Sequence, residues 1–235
     1  MALRINYNEA ASKAQRGLAA SQDVYASQAE ALSSGLRINK ASDDAAGMAV
    51  SERLKNQVRG LNQAQRNAQD GISMIQTAEG GLSEIANLLA RMRELAVQSA
   101  NDTLTTTDRT NLNAEFTQLQ AEITRIGNSV SFNGTVLLNA SASFTLQVGA
   151  NSTAASNQLT LAFTDNRATA TGIALTSNDV TSQANGTAAI TQIDTAINTI
   201  STNRASLGAM QSRLESAVRS LAVASENAAA ANSRV

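Results

Sequence analysis

Apolar positions recur along this chain with two different periods. Over residues 8–36 a seven-residue seam runs Ala11, Ala14, Leu18, Ser21, Tyr25, Gln28, Leu32. Its spacing predicts a helix. Its members are small or only partly apolar, so the segment alone makes a marginal one. Ser33-Ser34-Gly35 breaks it, and LRINKASDD (36–44) reads as a polar turn. Ser42 or Asp43 is placed to cap the next helix, where a carboxylate also faces the positive end of the helix dipole. Residues 44–100 then predict one very long helix, with a seam at Leu54, Val58, Leu61, Gln65, Ala68, Ile72, Ile75, Glu79, Leu82, Ala86 and Leu89. Gly60, Gly71 and the pair Gly80–Gly81 weaken it, and the pair is the expected place for a kink or short break. DTLTTT (102–107) is a turn, with Thr107 or Asp108 to cap a third helix over 108–130. The seam of that helix is Leu112, Phe116, Leu119, Ile123, Ile126, Val130.

Beyond residue 130 the period falls to two. Asn133–Gly134 is a turn dipeptide. Phe144, Leu146 and Val148 alternate with polar or small neighbours, as do Leu159, Leu161 and Phe163, across the polar linker 151–157. This predicts a β-hairpin, with a possible third strand at Ile173–Thr176. From about 187 the helical seam returns as Ile190, Ile193, Ile197, Ile200, Arg204, Leu207, Gln211, Leu214, Val218, Leu221, Ser225, Ala228, and it is still running at Val235.

Length turns these elements into an architecture. A helix over 44–100 spans about 85 Å. A compact globule of this size has a radius of gyration near 18 Å and a diameter of roughly 45 Å. The expected fold is therefore mainly α: an elongated, antiparallel, coiled-coil-like helical rod with a small β-hairpin in the middle of the sequence. It divides into three segments: 1–43 (first helix and linker), 44–186 (long helix, third helix and the hairpin region 140–176) and 187–235 (last helix).

Composition narrows the chemistry. His, Cys, Pro and Trp are absent from the 235 residues, and aromatic residues make up only 3%. That removes His- and Cys-ligated metal sites, thiol chemistry and every His-dependent triad. The expected cofactor content is none. A formal net charge of −1 argues against nucleic-acid or anionic-membrane binding. No apolar run approaches a membrane span, and the N-terminal residues lack the apolar core of a secretory signal. Asp43–Asp44 reads as capping rather than metal binding, since adjacent carboxylates on a helix diverge. Arg91, Leu95 and Gln98 fall on one face by spacing of four and three, a face that avoids Leu82, Ala86 and Leu89; read from the residues alone it is a solvated face. The Ser/Thr-rich stretch 141–187 could carry O-linked sugars or simply be a soluble surface.

Several long strings in this chain are similar to the signatures of one family, the bacterial flagellins. They are LSSGLRINKASDDAAG (32–47), QRNAQDGISMIQTAEG (65–80), RMRELAVQ (91–98), FNG (132–134), SRLE (212–215) and SEN (225–227). The resemblance covers nearly the whole chain. It implies a structural subunit that is exported unfolded by the flagellar type III system, without a cleaved signal peptide, and that self-assembles outside the cell into a helical tube for swimming. Implied partners are further copies of the chain, the export apparatus and its chaperones, the filament cap and, for the free monomer, the animal Toll-like receptor 5. The resemblance places a receptor and subunit-contact patch at Arg91, Arg93, Leu95, Gln98 and Glu115, and a core-helix assembly seam at Ala11, Ala14, Leu18, Tyr25 and Leu32. The middle of the sequence leaves room for little beyond the hairpin, so the chain reads as a minimal flagellin. The family continues past the region matching Ala228–Val235 with a C-terminal core helix, so the sequence reads as truncated and the first helix as lacking its partner, and disordered or frayed in isolation. Alternatives are a hook–filament junction relative, and a non-polymerising form that acts only as an immune ligand. An inserted metalloprotease is excluded by the missing His.

Overall fold

The computed structural model describes residues 8–169, 172–175 and 179–235. The elements are α1 (Glu9–Ser34), α2 (Ala45–Ser99), α3 (Thr106–Ser129), β1 (Ser131–Phe132), β2 (Thr135–Val136), β3 (Ala142–Gln147), a single turn α4 (Ala154–Asn157), β4 (Gln158–Phe163) and α5 (Gln183–Arg234). The fold is mainly α, as the periodicity predicts, with two small antiparallel strand pairs where the sequence predicts one hairpin. By contacts the chain divides into two units: residues up to Arg59 together with Ser225–Val235, and Gly60–Ala224.

The Gly60–Ala224 unit is a bundle with a hairpin laid against it. On α2 the buried positions are Leu61, Ala68, Ile75, Leu82, Leu89 and Ala96, each seven residues after the last. Ala64, Gly71, Ala78, Ile85, Met92 and Ser99 lie three residues behind them. This is a strict heptad stripe. It corrects half of the expected seam: Gln65, Ile72, Glu79 and Ala86 lie on its flank, half-buried, and their smaller neighbours Ala64, Gly71 and Ala78 and the branched Ile85 occupy the centre. At Gly71 space is the reason. A Cβ on Gly71 would run into Cδ1 of Leu146 from the hairpin and come within 3.3 Å of Cδ1 of Leu214 from α5. Three elements meet there, and only a small residue lets them.

Two sets of partners fix directions within this unit. Arg93, Glu79 and Gly71 of α2 meet Asp194, Arg204 and Leu214 of α5 in that order, so α2 and α5 run antiparallel. Ser99, Arg91 and Gly81 meet Arg109, Glu115 and Val130, so α3 is antiparallel to α2 as well. The expected seam of α3 holds: Phe116 and Ile123 are fully buried, and Leu112, Leu119, Ile126 and Val130 pack against the same core. On α5, Ile193, Ile200, Leu207, Leu214 and Leu221 repeat every seven residues and are buried.

The helix boundaries shift for identifiable reasons. Thr105, not Thr107 or Asp108, caps α3. Its hydroxyl accepts the Asp108 backbone N–H at 3.3 Å, and the Asp108 carboxylate accepts the Thr105 N–H at 3.0 Å, a reciprocal capping box. The expected break at Gly80–Gly81 is absent, and α2 runs through it without interruption. Gly81 instead makes room for packing: a Cβ there would sit 2.6 Å from Val130 Cγ2 and 3.0 Å from Leu138 Cδ1.

The hairpin falls where alternation predicts it, with Phe144 opposite Leu161 and Leu146 opposite Leu159. Leu159, Leu161 and Phe163 point inward, and the Phe144 and Phe163 rings meet edge to face at 5.7 Å. The linker 151–157 contains the turn α4. No third strand forms over 173–175; Ile173 and Leu175 are buried there as loop side chains, and Thr176 lies outside the described residues. Asn133 and Gly134, at φ 48° and 78°, make a two-residue loop joining β1 to β2.

In the other unit, α1 ends on Gly35 at φ 68°, whose N–H donates to the Ala31 carbonyl. Asp44, rather than Ser42 or Asp43, caps α2: its Oδ1 accepts the N–H groups of Ala46 at 3.0 Å and Gly47 at 2.9 Å. Asp43 closes the preceding turn by accepting the N–H groups of Lys40 and Asn39. Those two backbone bonds hold its carboxyl below the ordinary carboxylate range.

Candidate interaction surfaces

The first surface is α1 itself. None of its residues is buried. Ala11 and Ala14 are exposed, and Leu18, Tyr25 and Leu32 are exposed by 61%, 78% and 87%. All five assembly-seam residues therefore lie on one helix with no partner among the described residues. The expectation that this segment is disordered or frayed differs from the structure, in which Glu9–Ser34 is continuous helix. Local interactions account for that. Asn8 Oδ1 accepts the Ala11 N–H at 3.1 Å, Lys13 pairs with Glu9 one turn earlier at 2.8 Å, and Gly35 closes the far end. A stripe of Ala interrupted by larger residues admits close approach of another helix.

The second surface lies where α2 faces α3. Arg91 Nε donates to Glu115 Oε1 at 2.9 Å, and Arg91 Nη1 to Glu94 Oε2 at 2.9 Å. One guanidinium thus joins carboxylates from two helices, with about half of Arg91 and Glu115 and two-thirds of Glu94 in solvent. The bond to Glu115, and then that to Glu94, raises the Arg91 pKa above its already high ordinary value. Gln98 is exposed on the same flank of α2. Of the residues the resemblance names, the structure pairs Arg91 with Glu115, and Gln98 lies two turns further along the same flank of α2.

Two members of the expected patch sit elsewhere. Leu95 is 1% exposed and belongs to the hydrophobic core, so it does not share the open face of Arg91 and Gln98. The spacing of four and three is real, but Leu95 lies at the edge of the heptad stripe, beside Met92 and Ser99, and is drawn under it. Arg93, about 200° round the helix from Arg91, lies on the opposite flank and donates to Asp194 Oδ1 of α5 at 2.6 Å. Asp194 was not legible as a partner, because the two residues are separated by more than a hundred positions and neither lies in a distinctive local pattern. The same holds for the Glu79–Arg204 pair, Nε to Oε1 2.7 Å.

Nothing in these surfaces is arranged for bond-making chemistry. An open groove of about 460 Å³ is lined by Gln63, Asn67, Gln147, Asn151 and Gln158, carboxamides with no acid or base among them. Among the described residues no cluster of acidic side chains could hold a metal ion, and no helix is long and apolar enough to cross a membrane.

Comparison with known proteins bears on what the surfaces are for. Residues 5–143 match the family model for the bacterial flagellin N-terminal helical region, and residues 190–235 match that for the C-terminal helical region. The chain is 47% identical to a flagellin of Halalkalibacterium halodurans over 98% of its own length and 84% of that protein. It is 43% identical to the flagellar filament 33 kDa core protein of Treponema phagedenis, over 98% and 85%. Among solved structures, Bacillus cereus flagellin superposes with a TM-score of 0.59 at 33% identity, covering 66% of this chain and 88% of that one. A Vibrio parahaemolyticus protein described as flagellar hook-associated superposes at 0.69 over 83% of this chain and all of the other; at 14% identity it shows the shared fold alone. With both family regions present and close relatives along nearly its whole length, this chain belongs to the bacterial flagellins, a family of structural filament proteins rather than enzymes.

Proposed function

We propose that this chain polymerises outside the cell into the flagellar filament by burying the α1 seam against neighbouring copies. The observation that carries this reading is a 26-residue helix with heptad-spaced Ala11, Ala14, Leu18, Tyr25 and Leu32 and no buried side chain. Burying a large apolar side chain contributes about 1.5–3 kcal/mol. Leu18, Tyr25 and Leu32 together supply a strong incentive for association. A contact between different faces of identical subunits, when its rotation does not close a ring, propagates into a helical tube. On this reading the chain leaves the cell unfolded through the flagellar type III apparatus, escorted by export chaperones, and is placed at the growing end beneath the filament cap.

The test is sedimentation with sheared filament seeds. The parent chain is expected to pellet with the seeds. A variant carrying Leu18→Ser, Tyr25→Ser and Leu32→Ser is expected to stay in the supernatant with its far-ultraviolet circular dichroism unchanged outside the α1 contribution. Equal assembly of the two would contradict the proposal. A parent that stays monomeric while still signalling would favour the immune-ligand alternative. The hook–filament junction alternative is disfavoured by identity: 47% to a flagellin, against 14% to the hook-associated structure.

A second reading concerns the free monomer as a ligand of Toll-like receptor 5. It is favoured by the exposed Arg91–Glu115 pair, a charged feature spanning two helices. An Arg at the centre of such a patch is a typical hot spot. Leu95 then acts from beneath, holding the helix that carries Arg91. The expected result is that Arg91→Ala lowers receptor activation by the monomer with helicity retained; unchanged activation would remove the assignment.

A further inference from the structure

The chain contains two Asn-Gly steps, Asn133–Gly134 and Asn185–Gly186. This dipeptide is chemically special. The backbone nitrogen of the glycine can attack the carboxamide carbon of the preceding asparagine, because no Cβ hinders its approach. A C–N bond forms to the side-chain carbon, ammonia leaves, and a five-membered succinimide results. Water then opens the ring at either carbonyl, giving aspartate or isoaspartate. The reaction needs only water. It also requires a free glycine nitrogen and a side chain able to swing onto it.

The structure gives the two steps opposite environments. Asn133 and Gly134 are both exposed in the β1–β2 loop. No hydrogen bond from the Gly134 N–H or the Asn133 side chain is made to any described residue. A Cβ at Gly134 would meet nothing within 4 Å. Asn185, in contrast, lies in the first turn of α5. Its Nδ2 donates to Asp179 Oδ1 at 2.6 Å, and the Gly186 N–H donates to the Ser182 carbonyl at 2.9 Å. Gly186 is also packed against the end of α2, where an added Cβ would lie 2.9 Å from the Ala100 nitrogen. Both reacting groups at 185 are engaged, and the helix fixes the backbone.

We propose that Asn133 is a site of spontaneous deamidation and isoaspartate formation in the folded protein, and that Asn185, with the same dipeptide, is protected by its fold. The consequence at 133 is structural. An isoaspartate adds a methylene to the main chain of a two-residue loop whose length sets the pairing of Phe132 with Thr135. Either product also places a negative charge on the exposed loop. Plain aspartate at 133 keeps the turn, since Asp-Gly suits the same loop.

The experiment is peptide mapping by mass spectrometry of the full chain, incubated in mildly alkaline buffer, folded and in urea. The tryptic peptide containing 133 is expected to gain the mass of an amide-to-acid change, as two separable products, about tenfold or more faster than the peptide containing 185. In urea the two rates are expected to converge. Asn133→Gly, which preserves a two-residue loop, is expected to remove conversion at 133 and leave that at 185 unchanged. Equal rates in the folded chain, or a difference that persists in urea, would overturn the proposal.

Discussion

The seam of α1 and the seam of α2 share one spacing and meet opposite fates. Leu61, Ala68, Ile75, Leu82, Leu89 and Ala96 sit at heptad intervals and are buried; Ala11, Leu18, Tyr25 and Leu32 sit at the same intervals and are exposed. Heptad periodicity states that a face wants a partner and says nothing of whose chain supplies it. In α2 the partners are α3, α5 and the hairpin. In α1 no described residue covers the face, and the proposed partner is another copy.

Truncating one side chain on each seam separates the two cases. Leu89→Ala is expected to destabilise the monomer by about 2–5 kcal/mol, because it opens a cavity in a fully packed core. Leu18→Ala is expected to change monomer stability by no more than about 0.5 kcal/mol while weakening seeded assembly. Urea unfolding followed by sedimentation measures both. Comparable losses of monomer stability would mean that α1 is covered in the free chain.

A finer contrast lies within α2, between adjacent glycines. Gly80 faces open space, so Gly80→Ala is expected to stabilise by about 0.5–1 kcal/mol through helix propensity. At Gly81 the same change presses a methyl group onto Val130 and Leu138, and overpacking of about 1–3 kcal/mol outweighs the propensity gain. Thermal unfolding should show opposite shifts. A stabilising Gly81→Ala would mean that α2 and the segment after α3 are not in close contact.

Acid sensitivity is the smallest expected effect. Backbone hydrogen bonds from Lys40 and Asn39 lower the pKa of Asp43, bonds from Thr105 lower that of Asp108, and bonds from Thr181 and Asn185 lower that of Asp179. A depressed carboxyl contributes stability above its unfolded pKa and loses it as pH falls through the folded one. The turn before α2, the start of α3 and the turn before α5 should therefore loosen together only in strong acid. With no His in the chain, the neutral range should be flat. A helicity transition between pH 5 and 8 would contradict this.

Much of the fold was legible because period and turn chemistry are local. The hairpin faces, the α3 seam and the Asn133–Gly134 loop emerge from alternation, heptads and a turn dipeptide. The missed half of the α2 seam shows the limit. Apolarity favours Ile72 over Gly71, and carrying that phase along the helix selects Ala86 although Ile85 is the more apolar; at Gly71 the buried position is set by how much room three converging elements leave. The candidate surfaces were legible as far as they were local: the run of Ala11, Ala14 and Leu18 stood out by its spacing, whereas Glu115 was placed beside Arg91 only by the family resemblance. The burial of Leu95 and the pairing of Arg93 with Asp194 depend on which flank each neighbouring helix occupies, which no local pattern records.

The most direct test of the central claim is amide hydrogen exchange resolved by segment, on the monomer and on seeded polymer. Glu9–Ser34 is expected to exchange rapidly in the monomer, Leu61–Ala96 and Ile193–Leu221 to be strongly protected there, and α1 to gain comparable protection on polymerisation. An α1 as protected as α2 in the monomer, or one still exchanging freely in the polymer, would contradict it.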